Sequence, residues 1–413
     1  MKKIYYICLA IGFMFSSVTF VSCGSDDGKI NPENADSGGS DSGQDSKPQK
    51  TADRDEAGNI KINAVNFPDA VFRGYLYDKY GADGVLSDAE IDNVIQLSLS
   101  NKGVKTLEGI EFFPLLEVLD CSNNQLTSLD VSKNTLLTNL NCNMNNIESI
   151  DVSQNWMLKE LLCWNNQLTS LDVSKNSKLE YLYFDTLPMS EGNNRITSID
   201  LSKNTNLKEL GCSCNSLTYL DVSKNTELTG LNCYMNQLTS LDVSKNTKLT
   251  ELYCNNNQLT SLDVSNNTAL TTLWCYSNQL TSLDVSGCTA LTMLECYSNQ
   301  LTSLDLSGCI ALANLYCKNN QLTSLDVSQN TALERLDCND NQLTSLDVSG
   351  CIALTYLYCK NNQLTSLDVS KNTALANLFC KSNQLTSLDV SKNTKLTYLE
   401  CDPSVTVTGW PKY

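Results

Sequence analysis

The chain has 413 residues, with 46 acidic and 29 basic side chains and a net charge of −17 at pH 7. It contains no histidine, which excludes His-based catalytic triads, His metal ligands and His acid–base chemistry. The excess of acids argues against binding to nucleic acid, which needs clustered Lys and Arg side chains. By length alone the chain has room for two or three domains of roughly 150 residues each.

A lipoprotein signal peptide is predicted at residues 1–22. Lys2 and Lys3 precede an apolar run, and Cys23 follows that run directly. A basic start, an apolar middle and small residues before a cleavage site are typical of secretory signals. A run of this length also suffices for a transmembrane helix, which stays open as the alternative. The segment resembles a bacterial lipobox with Phe20 in place of the usual leucine, and this resemblance implies that Cys23 is acylated and anchors the chain to a membrane.

An acidic spacer follows the predicted lipidation site. Ser25-Asp26-Asp27 resembles the signal that directs some Gram-negative lipoproteins to the cell surface, which implies an outer membrane or cell-surface location. Residues 23–59 are rich in Gly, Ser and Asp and hold one large aliphatic side chain, Ile30. Such a segment buries too little surface to offset its ordering entropy. We therefore predict a disordered acidic tether at residues 23–59.

Residues 60–96 are predicted to form a helical N-terminal cap, which covers the exposed core of the first coil of the body. Ser87-Asp88-Ala89-Glu90 is a capping box that begins one helix, with Ile91, Val94 and Ile95 facing inward. A stripe of large side chains at helical spacing predicts a helix before it. This stripe comprises Pro68, Val71, Phe72, Tyr75 and Leu76.

The segment between these helices, residues 79–90, resembles a calcium loop of the EF-hand type, with Asp83 and Glu90 in register. Lys79 and Gly81 stand where the first and third oxygen ligands are expected, and this weakens affinity for calcium. We favour a structural turn over calcium binding, and we predict no metal site and no cofactor.

The body of the chain, residues 97–402, repeats one unit every 21 residues. The copy at 238–258 reads Leu-Thr-Ser-Leu-Asp-Val-Ser-Lys-Asn-Thr-Lys-Leu-Thr-Glu-Leu-Tyr-Cys-Asn-Asn-Asn-Gln. Phe184 takes the cysteine position once, and the following step is 28 residues, so we expect a loop near residues 185–192. One further coil lies upstream at Leu97-Ser98-Leu99. The repeated cysteines are Cys121, Cys142, Cys163, Cys212, Cys233, Cys254, Cys275, Cys296, Cys317, Cys338, Cys359, Cys380 and Cys401.

The unit contains Leu-x-x-Leu-x-Cys-x-x-Asn-x-Leu, the leucine-rich repeat consensus with cysteine at an inward position. Leu249, Leu252 and Cys254 are predicted to point inward, while Asn257 bonds backbone groups of neighbouring coils. One coil cannot bury its apolar edge alone, so stacking supplies the core. We predict a mostly β solenoid of short parallel strands, with extended back segments and a cap strand at residues 403–413.

This 21-residue, cysteine-bearing unit closely resembles the internalin-J-like leucine-rich repeat proteins of bacterial surfaces, over residues 59–413. The resemblance implies a surface protein that contacts protein ligands in adhesion or in host or cell interaction.

The cysteines are predicted to be reduced core thiols. Stacked residues keep their Cβ atoms roughly 4.8 Å apart, whereas a disulfide needs about 3.8 Å, and buried thiols pack as small hydrophobes. Disulfides and metal binding remain less favoured alternatives. Cys288 and Cys309, which with Cys351 replace an Asn on the opposite turn, lie on adjacent coils and are the best candidates for a bridge. Cys214 lies outside the ladder.

The outward positions of the strand half vary between coils and hold most of the aromatic side chains, whereas the back half holds only Trp156 and Tyr219. Aromatic rings on a concave sheet offer rigid contact area, although strand propensity also favours them. Charged neighbours such as Glu251, Glu295 and Lys318 are expected to set the register of a ligand. The predicted binding face comprises Trp164, Tyr181, Tyr183, Tyr234, Tyr253, Trp274, Tyr276, Tyr297, Tyr316, Tyr356, Tyr358 and Phe379, with Tyr398 beside them.

An Asp recurs in every back half from Asp130 to Asp389. Like charges about 5 Å apart repel, so a metal-binding stripe is one interpretation. We favour a structural one, in which each carboxylate accepts hydrogen bonds from flanking Ser and Thr.

Together these patterns favour a cell-surface recognition protein that binds a protein on a host or bacterial surface, with a glycan as the alternative ligand. An enzyme is not expected, because the chain lacks a Gly-rich phosphate loop and thirteen equivalent cysteines offer no single activated nucleophile.

Overall fold

The structure is a computed structural model that describes residues 51–186 and 193–410. The predicted signal peptide, the lipidation site Cys23, most of the tether and the loop at residues 187–192 lie outside these ranges. Within them, no helix is long and apolar enough to cross a membrane.

The N-terminal cap is a small α/β unit. Strand β1 (Ile60–Lys61) pairs antiparallel with β2 (Val85–Leu86), and helices α1 (Ala70–Lys79) and α2 (Asp88–Asp92) lie next to them in the chain. Asp69 begins α1, since its side chain accepts hydrogen bonds from the backbone of the first turn. The same carboxylate accepts from the backbone N–H of Lys105 at 2.8 Å, which joins the cap to the first coil.

Three apolar residues of the cap face solvent, contrary to prediction. Pro68 is exposed, Val71 is 41% exposed and Ile95 is 53% exposed. Helix α2 ends at Asp92, so helical spacing does not extend to Ile95, while Ile91 and Val94 are buried.

The turn between the cap helices is held by local bonds. Glu90 Oε2 accepts from the backbone N–H and the hydroxyl of Ser87 at 2.8 and 2.7 Å, which completes the predicted capping box. Asp83 accepts from the backbone N–H of Val85, and Gly84 adopts a left-handed φ of 92°. Both carboxylates are thus engaged in the turn, and the described residues contain no cluster of three or more metal-ligating side chains.

Ordered structure begins earlier than the predicted end of the tether. Arg54 forms a β-bridge with Ile60. The backbone N–H of Asp53 donates to Asn66 Oδ1 at 2.8 Å, and its carboxylate lies 2.9 Å from Lys61 Nζ. This stretch is attached to the cap by polar contacts, which a criterion based on buried apolar surface does not detect.

Fifteen short strands, one from each coil, form a parallel sheet in continuous register. Leu252 of one coil pairs with Leu231 and Leu273 of its two neighbours. The predicted fold class, a mostly β leucine-rich-repeat solenoid with a small helical cap, is confirmed. The strands are β3 Gln96–Ser98, β4 Val118–Asp120, β5 Asn139–Asn141, β6 Glu160–Leu162, β7 Tyr181–Tyr183, β8 Glu209–Gly211, β9 Gly230–Asn232, β10 Glu251–Tyr253, β12 Thr272–Trp274, β14 Met293–Glu295, β15 Asn314–Tyr316, β16 Arg335–Asp337, β17 Tyr356–Tyr358, β18 Asn377–Phe379 and β20 Tyr398–Glu400.

The back of the solenoid is less regular than the front. Strands β11 (Ser261–Asp263) and β13 (Ser282–Asp284) pair with each other, and β19 (Ser387–Asp389) pairs with β21 (Thr406–Thr408) from the predicted C-terminal cap segment. Most other coils cross the back in turns, and a 3₁₀ helix at Ile110–Phe112 lies in the first coil.

Inward leucines and the cysteine ladder form the core. Twelve of the thirteen ladder cysteines are buried, and Cys401 in the last coil is half-buried. All cysteines in the described ranges are free thiols. Cys288 and Cys309 are not bridged; their thiols donate instead to the carbonyls of Val264 and Val285, each at 3.4 Å. Burial raises the pKa of Cys142 to about 12, so such thiols stay protonated and unreactive.

An asparagine ladder closes the turn after each front strand. Asn257 Nδ2 donates to the carbonyls of Cys254 and Cys233, and its Oδ1 accepts from the backbone N–H of Leu238. The residue before the ladder asparagine is left-handed, as Asn256 is at φ 55°. Cys214 occupies that turn position at φ 54°, which explains why it lies outside the core.

Candidate functional site

The outward face of the fifteen-stranded sheet is the candidate site. Each coil contributes three outward positions, illustrated by Glu251, Tyr253 and Asn255, and we call these the first, second and third columns. Because the strands pair in register, residues of one column are direct neighbours on successive coils. The sequence of each column therefore gives the order of side chains along the face.

The structure places all of the predicted aromatic residues on this face. Tyr181 and Tyr398 are exposed and the remainder are half-buried. The two aromatic residues of the back half, Trp156 and Tyr219, are more exposed, at 55% and 65%. The front rings therefore pack against one another or against neighbouring side chains, whereas the back rings extend singly into solvent.

Four rings form a continuous group that we call the central aromatic cluster: Tyr253, Trp274, Tyr276 and Tyr297. Tyr253 and Trp274 are edge to face with ring centroids 4.8 Å apart, Trp274 lies 6.4 Å from Tyr276, and Tyr276 stacks on Tyr297 at 4.3 Å. These separations are favourable for aromatic pairs, which gain about 0.5–1.5 kcal/mol beyond burial. The cluster presents preformed, partly exposed aromatic surface at the middle of the face.

A second group, the distal aromatic cluster, comprises Tyr358, Phe379 and Tyr398. Its rings stack in sequence at 4.6 and 4.8 Å. Tyr316 lies between the clusters, and its hydroxyl accepts a hydrogen bond from Arg335 at 3.1 Å. Within the predicted binding face, the stacked rings at its middle and at its C-terminal end therefore form two separate clusters with polar contacts between them.

Two glycines interrupt the rings on the N-terminal side of the central cluster. Gly211 and Gly230 have no side chains to cover the sheet, and neighbouring carboxylates fill the space. A methyl group at Gly211 would lie 2.1 Å from Asp185 Oδ2, and one at Gly230 would lie 2.2 Å from Glu209 Oε2. Both glycines are buried under these neighbours, and this glycine strip lies between Tyr183 and the central cluster.

The charges on the face fall into two parts. From strand β6 through Tyr297 the three columns hold acids and no Lys or Arg, and we call this the acidic part. From strand β15 through Asp402 the columns hold bases as well as acids, and we call this the paired part. The acids of the acidic part are Glu160, Asp185, Glu209, Glu251 and Glu295.

Acids in the paired part have cationic partners. Lys318 Nζ lies 3.5 Å from Asp337, and Lys360 Nζ lies 2.8 Å from Glu400. None of the five carboxylates in the acidic part forms an ion pair with a described residue. The acidic part therefore has uncompensated negative charge.

Burial raises the pKa of several of these carboxyls. The pKa of Glu295 rises to about 7 through loss of solvation, which Lys318 opposes. The pKa of Asp185 rises to about 6 for the same reason, although Ser213 donates to its carboxylate. Partial desolvation makes the charged form costly in the absence of a partner.

The sequence pattern identified the aromatic face but missed the two charge parts. The predicted charged neighbours of the rings include both Glu295 and Lys318, but the sequence assigns neither of them a partner. The available signal was the column order: Trp274, Glu295 and Tyr316 follow one another in the second column, with no base among them.

The repeated Asp of the back half has a local structural role. Asp242 Oδ1, for example, accepts from the backbone N–H of Ser244 at 2.9 Å. This hydrogen bond lowers the pKa of Asp242, and the pKa values of Asp221 and Asp368 are lowered for the same reason. These contacts agree with the structural interpretation of the column.

Comparison with known proteins supports the fold and the ladder. A family model described as Leucine Rich repeats (2 copies) matches residues 247–288 and 331–372. The functional domain of InlJ from Listeria monocytogenes, whose structure includes a cysteine ladder, is 37% identical, with a TM-score of 0.77 over 84% of this chain and 76% of that chain. No curated protein sequence matches the chain.

Two further solved structures are similar. The leucine-rich repeat protein LIC12759 of Leptospira interrogans is 25% identical, with a TM-score of 0.64 over 73% of this chain and 82% of that one. The plant peptide hormone receptor RGFR1, solved in complex with RGF2, is 22% identical, with a TM-score of 0.60 over 77% and 64%, and this likeness concerns the fold alone. The identity and coverage of the InlJ match, with its cysteine ladder, place the chain in the internalin-J-like family of leucine-rich repeat proteins.

Proposed function

We propose that this protein is a cell-surface recognition protein that binds a protein ligand through its concave aromatic face, in adhesion or in contact with a host or bacterial cell. The central aromatic cluster carries the proposal, since its rings are preformed, partly exposed and at the middle of a broad sheet. Aromatic side chains bury large area at small entropic cost, which is why they dominate protein interfaces.

The architecture supports a binding role over a catalytic one. Leucine-rich repeat solenoids are typical scaffolds for protein interaction, and the similar plant receptor was solved in complex with its peptide hormone. The ladder thiols are buried and free, and burial raises the pKa of Cys254 to about 12, so they supply packing and not a nucleophile.

We also propose that acylated Cys23 anchors the protein in the outer membrane and that the following acidic segment holds the solenoid away from the lipid. The lipobox-like sequence and the acidic residues after Cys23 support this location. Metabolic labelling with a fatty acid should modify the wild type and leave Cys23→Ala unlabelled. Protease treatment of intact cells should remove the wild-type protein, and full protection would contradict a surface location.

The binding face is tested with paired variants of the full-length protein. Trp274→Ala with Tyr276→Ala should abolish capture of surface proteins from bacterial and host cell extracts. Trp156→Ala with Tyr219→Ala removes two exposed rings from the back half and is the matched control, which should bind as the wild type does. Circular dichroism and protection of the buried thiols show whether each variant is folded.

The opposite result would exclude the proposal. If the back-half variant loses binding while the front variant retains it, the concave face is not the recognition surface. Binding of the wild type to an immobilised glycan set, with no protein captured, would instead favour a carbohydrate ligand, the alternative considered from the sequence.

A further inference from the structure

Glu295 lies among the rings at the C-terminal end of the acidic part. In the second column it is paired in register with Trp274 on one side and Tyr316 on the other. Tyr297 follows on the same face of its own strand and stacks on Tyr276. A carboxylate is therefore placed where four aromatic rings converge.

This carboxylate has no partner in the described part of the chain. Glu295 is half-buried, yet its side chain forms no hydrogen bond or ion pair with a described residue. The nearest base is already engaged, because Lys318 Nζ lies 3.5 Å from Asp337 and 5.2 Å from the centre of the Tyr297 ring. A partly desolvated charge without a partner lowers stability, and a bound cation would relieve that cost.

The surrounding rings favour the same kind of ligand. The faces of Trp and Tyr attract cations, by about 0.5–2 kcal/mol depending on desolvation. This face already shows such contacts, with Lys318 over Tyr297 and Arg335 4.4 Å from the centre of the Tyr356 ring. A Lys or Arg side chain entering between Trp274 and Tyr316 would meet both a free carboxylate and ring faces.

The other carboxylates of the acidic part also favour a cationic ligand, and they are spread over several coils. Glu251 accepts a hydrogen bond from Tyr253 at 3.0 Å, and Glu209 accepts from Thr229, so the hydrogen-bond donors to both carboxylates are neutral. A ligand with acidic groups would be repelled here, and a neutral glycan would leave these charges uncompensated.

We propose that Glu295 and the rings around it form a receptor for a lysine or arginine side chain, and that the protein partner presents a basic segment to the acidic part of the concave face. This inference rests on the proposed function, since it specifies the chemistry of the partner at the same face. A peptide-selection experiment distinguishes failure of this inference from failure of the proposed function.

A phage-displayed library of random peptides is selected on the full-length protein, and selected peptides are measured against three variants. Glu295→Gln removes the charge and keeps the shape. Glu400→Gln is the matched control, because Glu400 occupies the same column but is paired with Lys360. Trp274→Ala with Tyr276→Ala reports whether a peptide occupies this face.

The selected peptides should be enriched in Lys and Arg, and their affinity should fall about tenfold or more on Glu295→Gln and change little on Glu400→Gln. Replacing the critical Arg of a peptide by citrulline should reproduce the loss in the wild type and have no further effect in Glu295→Gln. Peptides that need Trp274 and Tyr276 but ignore Glu295 and carry no excess of basic residues would overturn this inference and leave the proposed function intact. Peptides that ignore all three variants would contradict both.

Discussion

The acidic part and the paired part of the outward sheet face are built from the same repeat on the same sheet, yet they differ in charge compensation. In the paired part, Lys360 lies against both Glu400 and the ring of Phe379, so these charged and aromatic side chains have partners within the protein. In the acidic part, Glu295 lies beside equally well stacked rings and forms no ion pair with a described residue, although the charge of Lys318 partly opposes the rise in its pKa. Aromatic content alone therefore does not locate a binding surface; the carboxylate without an ion pair next to the rings distinguishes the two parts.

Removal of aromatic rings from each part should produce the largest difference in partner binding between the two parts. Trp274→Ala with Tyr276→Ala should weaken partner binding by about 2 kcal/mol or more, which is the range of interface hot spots. Tyr358→Ala with Phe379→Ala removes a comparable stacked pair from the paired part and should change binding by less than about 0.5 kcal/mol. The affinities of the two double variants for one captured partner are measured and compared. Equal losses of affinity would show that both clusters contact the ligand.

The packing of the glycine strip in the acidic part is tested by adding one methyl group at each glycine. Gly211→Ala should destabilise the protein by about 1–3 kcal/mol, as over-packing commonly does, because the new methyl group would lie against both Asp185 Oδ2 and a ring carbon of Tyr183, at 2.1 and 2.5 Å. Gly230→Ala meets only the flexible end of Glu209 and should cost less. Urea unfolding of the two variants measures the loss in free energy of unfolding. A larger loss for Gly230→Ala than for Gly211→Ala would contradict this account of the packing over the glycines.

The raised pKa of Glu295 predicts opposite effects of pH on stability and on binding. Its pKa is about 7 in the folded protein against 4.5 ordinarily, so the fold favours the neutral form and the charged carboxylate is destabilising above pH 7. Glu295→Gln should therefore be more stable than the wild type at pH 8, and this gap should close as pH falls from about 7 to 4.5.

Binding of a basic peptide should strengthen as pH rises through about 7, because Glu295 becomes charged. Tyr276 and Tyr297 stay neutral in that range, since burial raises the pKa of both hydroxyls. Urea unfolding and peptide-binding titrations at several pH values test the predicted directions of the changes in stability and affinity. A pH dependence that persists in Glu295→Gln would assign it to another group.

The smallest effect is expected from breaking an ion pair in the paired part. Lys360→Met removes the partner of Glu400, but both side chains are roughly 30% exposed, and pairs that contact solvent contribute about 0–1 kcal/mol. The free energy of unfolding should fall by less than about 1 kcal/mol, and added salt should reduce the difference. A loss well above that value would show that the pair stabilises the distal aromatic cluster.

Much of the fold follows from the repeat. The 21-residue period, the inward leucines and Cys254, and the turn asparagine Asn257 each predict the observed position, because every coil repeats the same environment. Burial in the cap follows less directly from the sequence, because helical spacing predicts that Ile95 is buried but the helix ends before it. The polar attachment of Asp53 to the cap has no apolar signal in the sequence.

The repeat pattern is sufficient to predict the solenoid, the buried thiol column and the side of the sheet on which the rings lie, since alternation along a strand sends successive side chains to opposite faces. The packing of neighbouring coils sets which rings touch. It also places Arg335 against Tyr316 between the two clusters, and it pairs Lys318 with Asp337, which leaves Glu295 without an ion pair. Those outcomes depend on the rotamers of long side chains on neighbouring coils, and a repeat pattern specifies the column of a residue but not which neighbour its charged end reaches.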